Sequence, residues 1–311
     1  MSVLICGSFA YDNIMVFPDQ FKNHILPDKV HMLNVAFLVP ELRREFGGCA
    51  GNIAFNMKLL GDEPVPMGTV GSDFATYAAW MDKFSIIRRH VHVKDDHFTA
   101  QAYITTDIDD NQITAFHPGA MNLAHETKIT EAQNIKLGII APDGRDGMIQ
   151  HAQQFADAGI PFIFDPGQGL PMFDGEDLLQ FARQATYIAL NDYEAQLFED
   201  RTGLPPEEIA KLVEALIITR GAQGSHIYTE GKRIDIPCAK AEKVVDPTGC
   251  GDAYRAGLLH GILHGKDWEM TGRIASLLGA IKIEQHGTQN HQFTIESFAT
   301  RFEKSFGMQL S

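Results

Sequence analysis

Short, wholly apolar runs alternate along this chain with segments whose apolar residues recur every three to four positions. The runs at 3–6, 137–141, 161–164, 187–190 and 216–219 predict strands buried on both faces, as in a parallel sheet. The stretches at 148–158, 177–185, 193–200 and 206–214 predict helices between them, and 253–264, 268–285 and 295–306 predict three more. A helix over 52–60 stops at Gly61, and Pro205-Pro206 suits a helix start. This alternation predicts an α/β layer architecture with a mostly parallel sheet. Two stretches break it. Residues 19–40 mix polar and apolar positions without a period. Residues 99–108 and 112–116 read as two strands joined at Asp109-Asp110-Asn111, a hairpin signal. Together they predict a small lid on one side of the sheet; a surface ornament without function is the alternative.

Composition narrows the class. With 311 residues, 44% hydrophobic and 21% charged, the chain has the size of one large or two modest globular domains. No apolar run approaches the ~20 residues that span a bilayer. No basic region precedes the first apolar run, so no signal peptide is expected, and four cysteines make no disulfide framework. A reducing, cytoplasmic setting is expected. The net charge of −14 disfavours nucleic acid as a partner. The short basic clusters Arg43-Arg44 and Arg88-Arg89-His90 read as solvated helix ends.

The segment with the most chemistry is Asp246-Pro247-Thr248-Gly249-Cys250-Gly251-Asp252, just ahead of an apolar helix. Glycines let the backbone approach a ligand closely, and free amides at a helix N-terminus form an anion site. A carboxylate at Asp252 repels an anion, so its use there would be to accept a proton from a hydroxyl attacking a phosphoryl group. The competing reading is a tight turn with a helix-start acid. Cys250 fills space between the glycines; a helix N-terminus also favours a reactive thiolate. His260 and His264 share a helix face without a metalloprotease pattern, and read as ordinary surface or core histidines.

The 246–252 segment resembles the C-terminal signature of the ribokinase-like (PfkB) family of sugar and nucleoside kinases. Gly47-Gly48-Cys49-Ala50-Gly51-Asn52 resembles its N-terminal Gly-Gly segment. Gly7-Ser8 with Asp12, Asn191-Asp192-Tyr193-Glu194, and Thr219-Arg220-Gly221-Ala222-Gln223-Gly224 resemble further family motifs. All occur in the family's order across nearly the whole chain. The resemblance implies a three-layer α/β/α sandwich with a mostly parallel sheet and a small β lid. It divides the chain into a large unit (1–11, 41–97, 118–311) and a lid (12–40, 98–117). It implies a kinase using ATP and Mg²⁺, with Asp252 as base and the amides of Gly249, Cys250 and Gly251 stabilising the migrating phosphoryl group. By the same analogy Asp12, Gly48 and Asn52 bind the acceptor, and Asn191, Thr219, Gly221 and Gly224 line the ATP side. Glu194 holds Mg²⁺ through water, with a capping box as the rival reading. Asp246 holds a monovalent cation such as K⁺, or else anchors its loop. Asp165 either faces the site or caps a turn.

Aromatic residues in the lid segments (Phe17, Phe21, Phe37, Tyr103 and Phe116) tilt the acceptor toward a purine, which needs a flat apolar slot. The segment 116–121 resembles one near the base pocket of prokaryotic nucleoside kinases, and the stretch 21–52 resembles bacterial adenosine kinases. The expected reaction is phosphorylation of the adenosine 5′-hydroxyl, a step of purine salvage, by a monomer or homodimer. The alternatives are a sugar kinase, a broad-specificity nucleoside kinase and a non-catalytic nucleotide-binding module.

Overall fold

The structure is a computed structural model, described here for residues 2–25, 35–109 and 111–310. Part of the irregular 19–40 stretch, and Asp110 of the expected hairpin turn, lie outside the described residues. The central sheet has nine strands in the order β13-β12-β11-β10-β9-β8-β1-β4-β5. They are β1 (Ser2–Cys6), β4 (Pro64–Gly71), β5 (His90–Lys94), β8 (Ile135–Ile140), β9 (Phe162–Phe164), β10 (Tyr187–Asn191), β11 (Ala215–Thr219), β12 (Ser225–Thr229) and β13 (Lys232–Ile236). The seven from β5 to β11 in that order run parallel; β12 and β13 close one edge as an antiparallel hairpin.

Alternate side chains of each strand enter two separate cores. Val3 and Ile5 of β1 join one core with residues of α1 (Cys49–Leu59), α7 (Cys250–Leu263), α8 (Trp268–Lys282) and α9 (Ile295–Phe306). Leu4 and Cys6 join the other, with α3 (Arg145–Ala158), α4 (Gly175–Gln184) and α5 (Asp192–Thr202). Helices thus cover both faces, the expected three layers. No helix among the described residues is long and apolar enough to cross a membrane.

Four strands form a second, smaller sheet in the order β3-β2-β6-β7. They are β2 (Ala10–Val16), β3 (Glu41–Gly47), β6 (Ala100–Thr106) and β7 (Gln112–His117). This corrects the expected lid boundary. Residues 41–47 belong to the small sheet and not to the large unit, because β3 pairs with β2 along its whole length. Arg43 and Arg44 therefore lie on a strand and not at a helix end. The expected helix over 206–214 shrinks to α6 (Pro206–Ile209). The pattern also passed over α2 (Ala75–Lys83), β4 and β5. Pro64, Pro66 and Gly68 interrupt β4, features that argue against a central strand; yet it is buried throughout.

One buried group bears on stability. Asp143, in the loop between β8 and α3, is 3% exposed. Its Oδ1 accepts the Gly144 amide at 2.9 Å, whereas Oδ2 has no partner among the described residues. Burial pushes its pKa up to about 8. A raised acid binds a proton in the folded state that the unfolded chain has released, so its contribution is present at low pH and lost as pH climbs to about 8. We expect Asp143→Asn to suppress that loss. Denaturant melts should show the variant gaining at least about 1 kcal/mol on the parent between pH 5 and pH 8; a pH-independent difference would contradict it.

Candidate active site

The site forms where two helix N-termini meet. Gly48 and Gly249, both at positive φ (85° and 78°), are the N-caps of α1 and α7. In the first turn of each helix stands one polar side chain, Asn52 and Asp252. Asn52 Nδ2 donates to Asp252 Oδ2 at 2.7 Å, across 200 residues of sequence. The other end of the Asn52 amide is also fixed. Its Oδ1 accepts from Gln289 Nε2 at 2.9 Å, and Gln289 Oε1 accepts from Trp80 Nε1 at 2.9 Å. The Tyr77 hydroxyl, 2.7 Å from Gln289 Nε2, donates to the Gly47 carbonyl at 2.8 Å. These partners permit one orientation of the Asn52 amide, with its N–H toward Asp252. Asn52 was expected to serve the acceptor; here one of its amide N–H groups goes to Asp252 and its oxygen accepts from Gln289, which leaves one N–H and one lone pair open.

Asp252 is partly buried. Burial, reinforced by the charge of Asp165, lifts its pKa to about 6 against the hydrogen bonds from Asn52 and Cys49 and the charge of Arg255. Asp165 follows β9 and Arg255 lies one helical turn beyond Asp252. Arg255 Nη2 donates to Asp165 Oδ1 at 3.0 Å and to the Ala189 carbonyl of β10 at 3.3 Å, and both side chains are almost wholly buried. The pair pins the start of α7 to the carboxyl ends of the parallel strands, where ligands of open α/β sheets bind.

Backbone amides converge here too. Those of Gly249, Gly251 and Asp252 have no acceptor among the described residues, while that of Cys250 bonds to the Pro247 carbonyl at 3.1 Å. The expected donor trio is therefore corrected at Cys250. A Cβ on Gly251 would meet no protein atom within 4 Å, so packing does not require glycine there. Gly48 differs: a Cβ there would fall 2.5 Å from Phe9 Cα, so its glycine is demanded by the chain's own backbone. Burial pushes the Cys250 thiol up to about 11, in the direction opposite to the thiolate that a helix N-terminus favours.

Asp246 anchors its loop. Its two carboxylate oxygens accept the amides of Thr248 and Gly287, each at 2.9 Å. Burial works against ionisation, but these bonds and Lys282 outweigh it and hold the pKa below the usual carboxylate range. Lys282, 0% exposed, donates from Nζ to the carbonyls of Asp246 at 2.7 Å and Gln285 at 3.3 Å. A fixed ammonium thus sits on the main chain of the loop where a monovalent cation was expected.

Asp12 lies on β2, opposite Glu45 on β3 and Ala102 on β6, and Ala102 faces Phe116 on β7. Cross-strand partners point to the same face, so Asp12 and Phe116 share one side of the lid, about 10 Å apart across two strand spacings. Burial, then Glu45 and Asp246, raise the Asp12 pKa to about 6. Phe116 is 49% exposed. Phe17, Phe21 and Phe37 instead pack on one another, with centroids 4.7–5.8 Å apart, as the core of the lid. Tyr103 lies on the opposite face of the lid sheet from Asp12 and donates to Gln101.

On the far side, Asn191 and Thr219 are register partners at the ends of β10 and β11. Asn191 and Glu194 cap α5 reciprocally through three bonds of 2.8 Å, and Glu194 Oε2 lies 3.9 Å from Arg255. Thr219 Oγ1 donates to the Leu190 carbonyl. Gly221 and Gly224 both take positive φ; a Cβ on Gly224 would fall 2.1 Å from the Ile236 carbonyl, whereas one on Gly221 would touch nothing. Sequence reasoning missed Arg255, Lys282 and Gln289. A charged residue inside an apolar helical stretch was a usable signal for the first two; Gln289 offered none.

A parallel sheet sandwiched by helices, with a four-strand lid over paired helix N-termini, is the architecture of the ribokinase fold. Residues 11–294 match the pfkB family carbohydrate kinases, and the chain belongs to that family. A nucleoside kinase of Methanocaldococcus jannaschii is 33% identical over 274 residues, covering 87% of this chain and 90% of that protein. A Burkholderia thailandensis nucleoside kinase in complex with inosine superposes with a TM-score of 0.90 at 53% identity, covering 99% of each chain. A ribokinase from Thermotoga maritima, at 18% identity and a TM-score of 0.81, shares the fold.

Gly251 gives a direct test of the anion turn. Alanine there fits the space and should hold or raise stability by up to about 1 kcal/mol through its better helix propensity. If this turn takes the transferring phosphoryl group, that methyl would stand in its way to the amides. We expect Gly251→Ala to melt at or above the parent temperature and to lose at least tenfold in turnover; full turnover would place the anion elsewhere.

Proposed function

We propose that this protein is an ATP-dependent nucleoside kinase that transfers the γ-phosphoryl group to the 5′-hydroxyl of a purine ribonucleoside, with adenosine as the first acceptor and inosine beside it. The observation that carries this reading is the Asn52–Asp252 contact, which holds a carboxylate of pKa about 6 next to unspent helix amides. The similarity to nucleoside kinases over nearly the whole chain supports a nucleoside over a free sugar. The complex with inosine widens the expected acceptor beyond adenosine.

In this mechanism Asp252, ionised near neutral pH, takes the proton of the acceptor hydroxyl as its oxygen attacks the γ-phosphorus. The amides of Gly249, Gly251 and Asp252 hold the charge on the transferring group. Arg255 and Asn52 fix the acid without neutralising it. Asp12 accepts hydrogen bonds from the ribose hydroxyls, and Phe116, on the same lid face, lies against the base. On the nucleotide side, Asn191, Thr219, Gly221 and Gly224 border the ATP groove. Each oxygen of Glu194 keeps a lone pair beyond its capping bond, so the Asn191–Glu194 pair fits a water-mediated Mg²⁺. That ion would screen charge on the ATP phosphates. Lys282 supplies, as a fixed ammonium, the positive charge that a potassium ion would bring to the Asp246 loop.

Asp252→Ala should cut turnover at least about a hundredfold while ATP still raises the melting temperature. Parent activity should rise with pH through about 6 as the acid ionises, then level off. A panel of adenosine, inosine, guanosine, ribose and fructose tests the acceptor; faster turnover of a free sugar than of every nucleoside would overturn the reading. Replacing potassium by tetramethylammonium should leave turnover unchanged, and a tenfold potassium activation would contradict the role given to Lys282.

A further inference from the structure

We propose that Asp62, His260 and His264 form a binding site for a divalent metal of the zinc type, separate from the catalytic centre. His260 in the last turn of α7 and His264 at its C-cap are four residues apart and so share a helix face. They lie about 12 and about 18 Å along the axis from Asp252, at 1.5 Å per residue. Asp62 belongs to the turn between α1 and β4. Asp62 Oδ2 is 2.8 Å from His260 Nδ1, and Asp62 Oδ1 is 2.8 Å from His264 Nε2. Among the described residues this is the one group of three His, Cys, Asp or Glu side chains whose ligand atoms all fall within 4.8 Å of one another.

Geometry, charge and access agree. Zinc bonds of about 2.0–2.1 Å in a tetrahedron set ligand atoms roughly 3.3 Å apart, so the present spacing has to open by about half an ångström, within the reach of small side-chain rotations. Two imidazoles and one carboxylate suit zinc, cobalt, nickel or copper better than magnesium or calcium, which prefer all-oxygen sites. The trio sits at the C-terminal end of α7, where the helix dipole favours a cation. The Asp62 side chain is 4% exposed and that of His264 46%, so the buried acid is fixed while solvent reaches the site and can supply a fourth ligand. The ionised carboxylate can only accept, so each ring gives it an N–H; on metal binding the coordinating nitrogen gives up that proton, and the ring's other nitrogen carries one. A bound ion would bridge α7 to the turn after α1, at the opposite end from the Asn52–Asp252 contact.

The test uses the full chain stripped by a chelator and titrated with Zn²⁺, and separately with Co²⁺. We expect one ion per chain, a melting temperature raised by Zn²⁺ and not by Mg²⁺, and cobalt visible bands without the sulfur charge-transfer band of a thiolate. His264→Ala, at a half-exposed position, should stay folded and weaken zinc binding at least tenfold; His260→Ala should do the same, and His264→Gln serves if the alanine variant does not fold. Absence of saturable binding, parent affinity in the variants, or a thiolate band would overturn the proposal.

Discussion

Two helices begin at the same place, and a hydrogen bond between Asn52 and Asp252 keeps them there. Aligned amide dipoles at both N-termini make the spot positive, so it can hold a carboxylate and still attract a second anion. The acid is useful only if it is neither free nor neutralised. A salt bridge straight to Arg255 would hold it ionised but weakly basic; full isolation would keep it protonated. The structure takes a middle course, with one amide contact to Asn52 and an arginine spent on Asp165 and a main-chain carbonyl. Trp80, Tyr77 and Gln289 form the rigid backing that prevents the Asn52 amide from turning over. A flipped amide would set oxygen against oxygen and cost the contact as well as the unsatisfied groups.

The lid depends on the same junction. β3 runs into Gly48, which bends the chain over the backbone of residues 8–10, and α1 starts at once. Strand, turn and helix are therefore continuous, and the row containing Asp12 is registered against the body through Gly47, whose missing Cβ leaves room for the Asp12 carboxylate. Any shift of β2 against β3 by one residue would swap Asp12 to the other face of the sheet. The aromatic cluster of Phe17, Phe21 and Phe37 stiffens the outer end of this unit. That explains why those rings are apolar and large without assigning them to a base slot.

Much of the body was legible because parallel strands buried on both faces leave wholly apolar runs, and the runs at 137–141, 187–190 and 216–219 all became central strands. β4 was not, because its prolines and glycines answer to neighbours: Gly68 lies against the Gly7 carbonyl, and Gly71 against the chain at 98–99. β3 hid behind its charges, which suit a strand exposed at the edge of a small sheet. The glycine turn and Asp252 could be read locally, since a helix N-terminus announces its own chemistry. The partners of those groups could not. Gln289 and Trp80 reach Asn52 only through tertiary folding, and the destination of the Cys250 amide depends on how the turn at Pro247 closes. The Asn191–Glu194 spacing served a helix cap and a metal shell equally well, and the cap is what the geometry displays.

Lys282 has a consequence of another kind. A dissolved ion beneath a loop comes and goes with the medium, and the loop's shape then reports on the salt around it. Here the positive charge is covalently part of α8, so the curvature of the chain at Asp246 is inherited from helix packing. The charge that Lys282 brings to the Asp246 carbonyl thus comes with the fold itself.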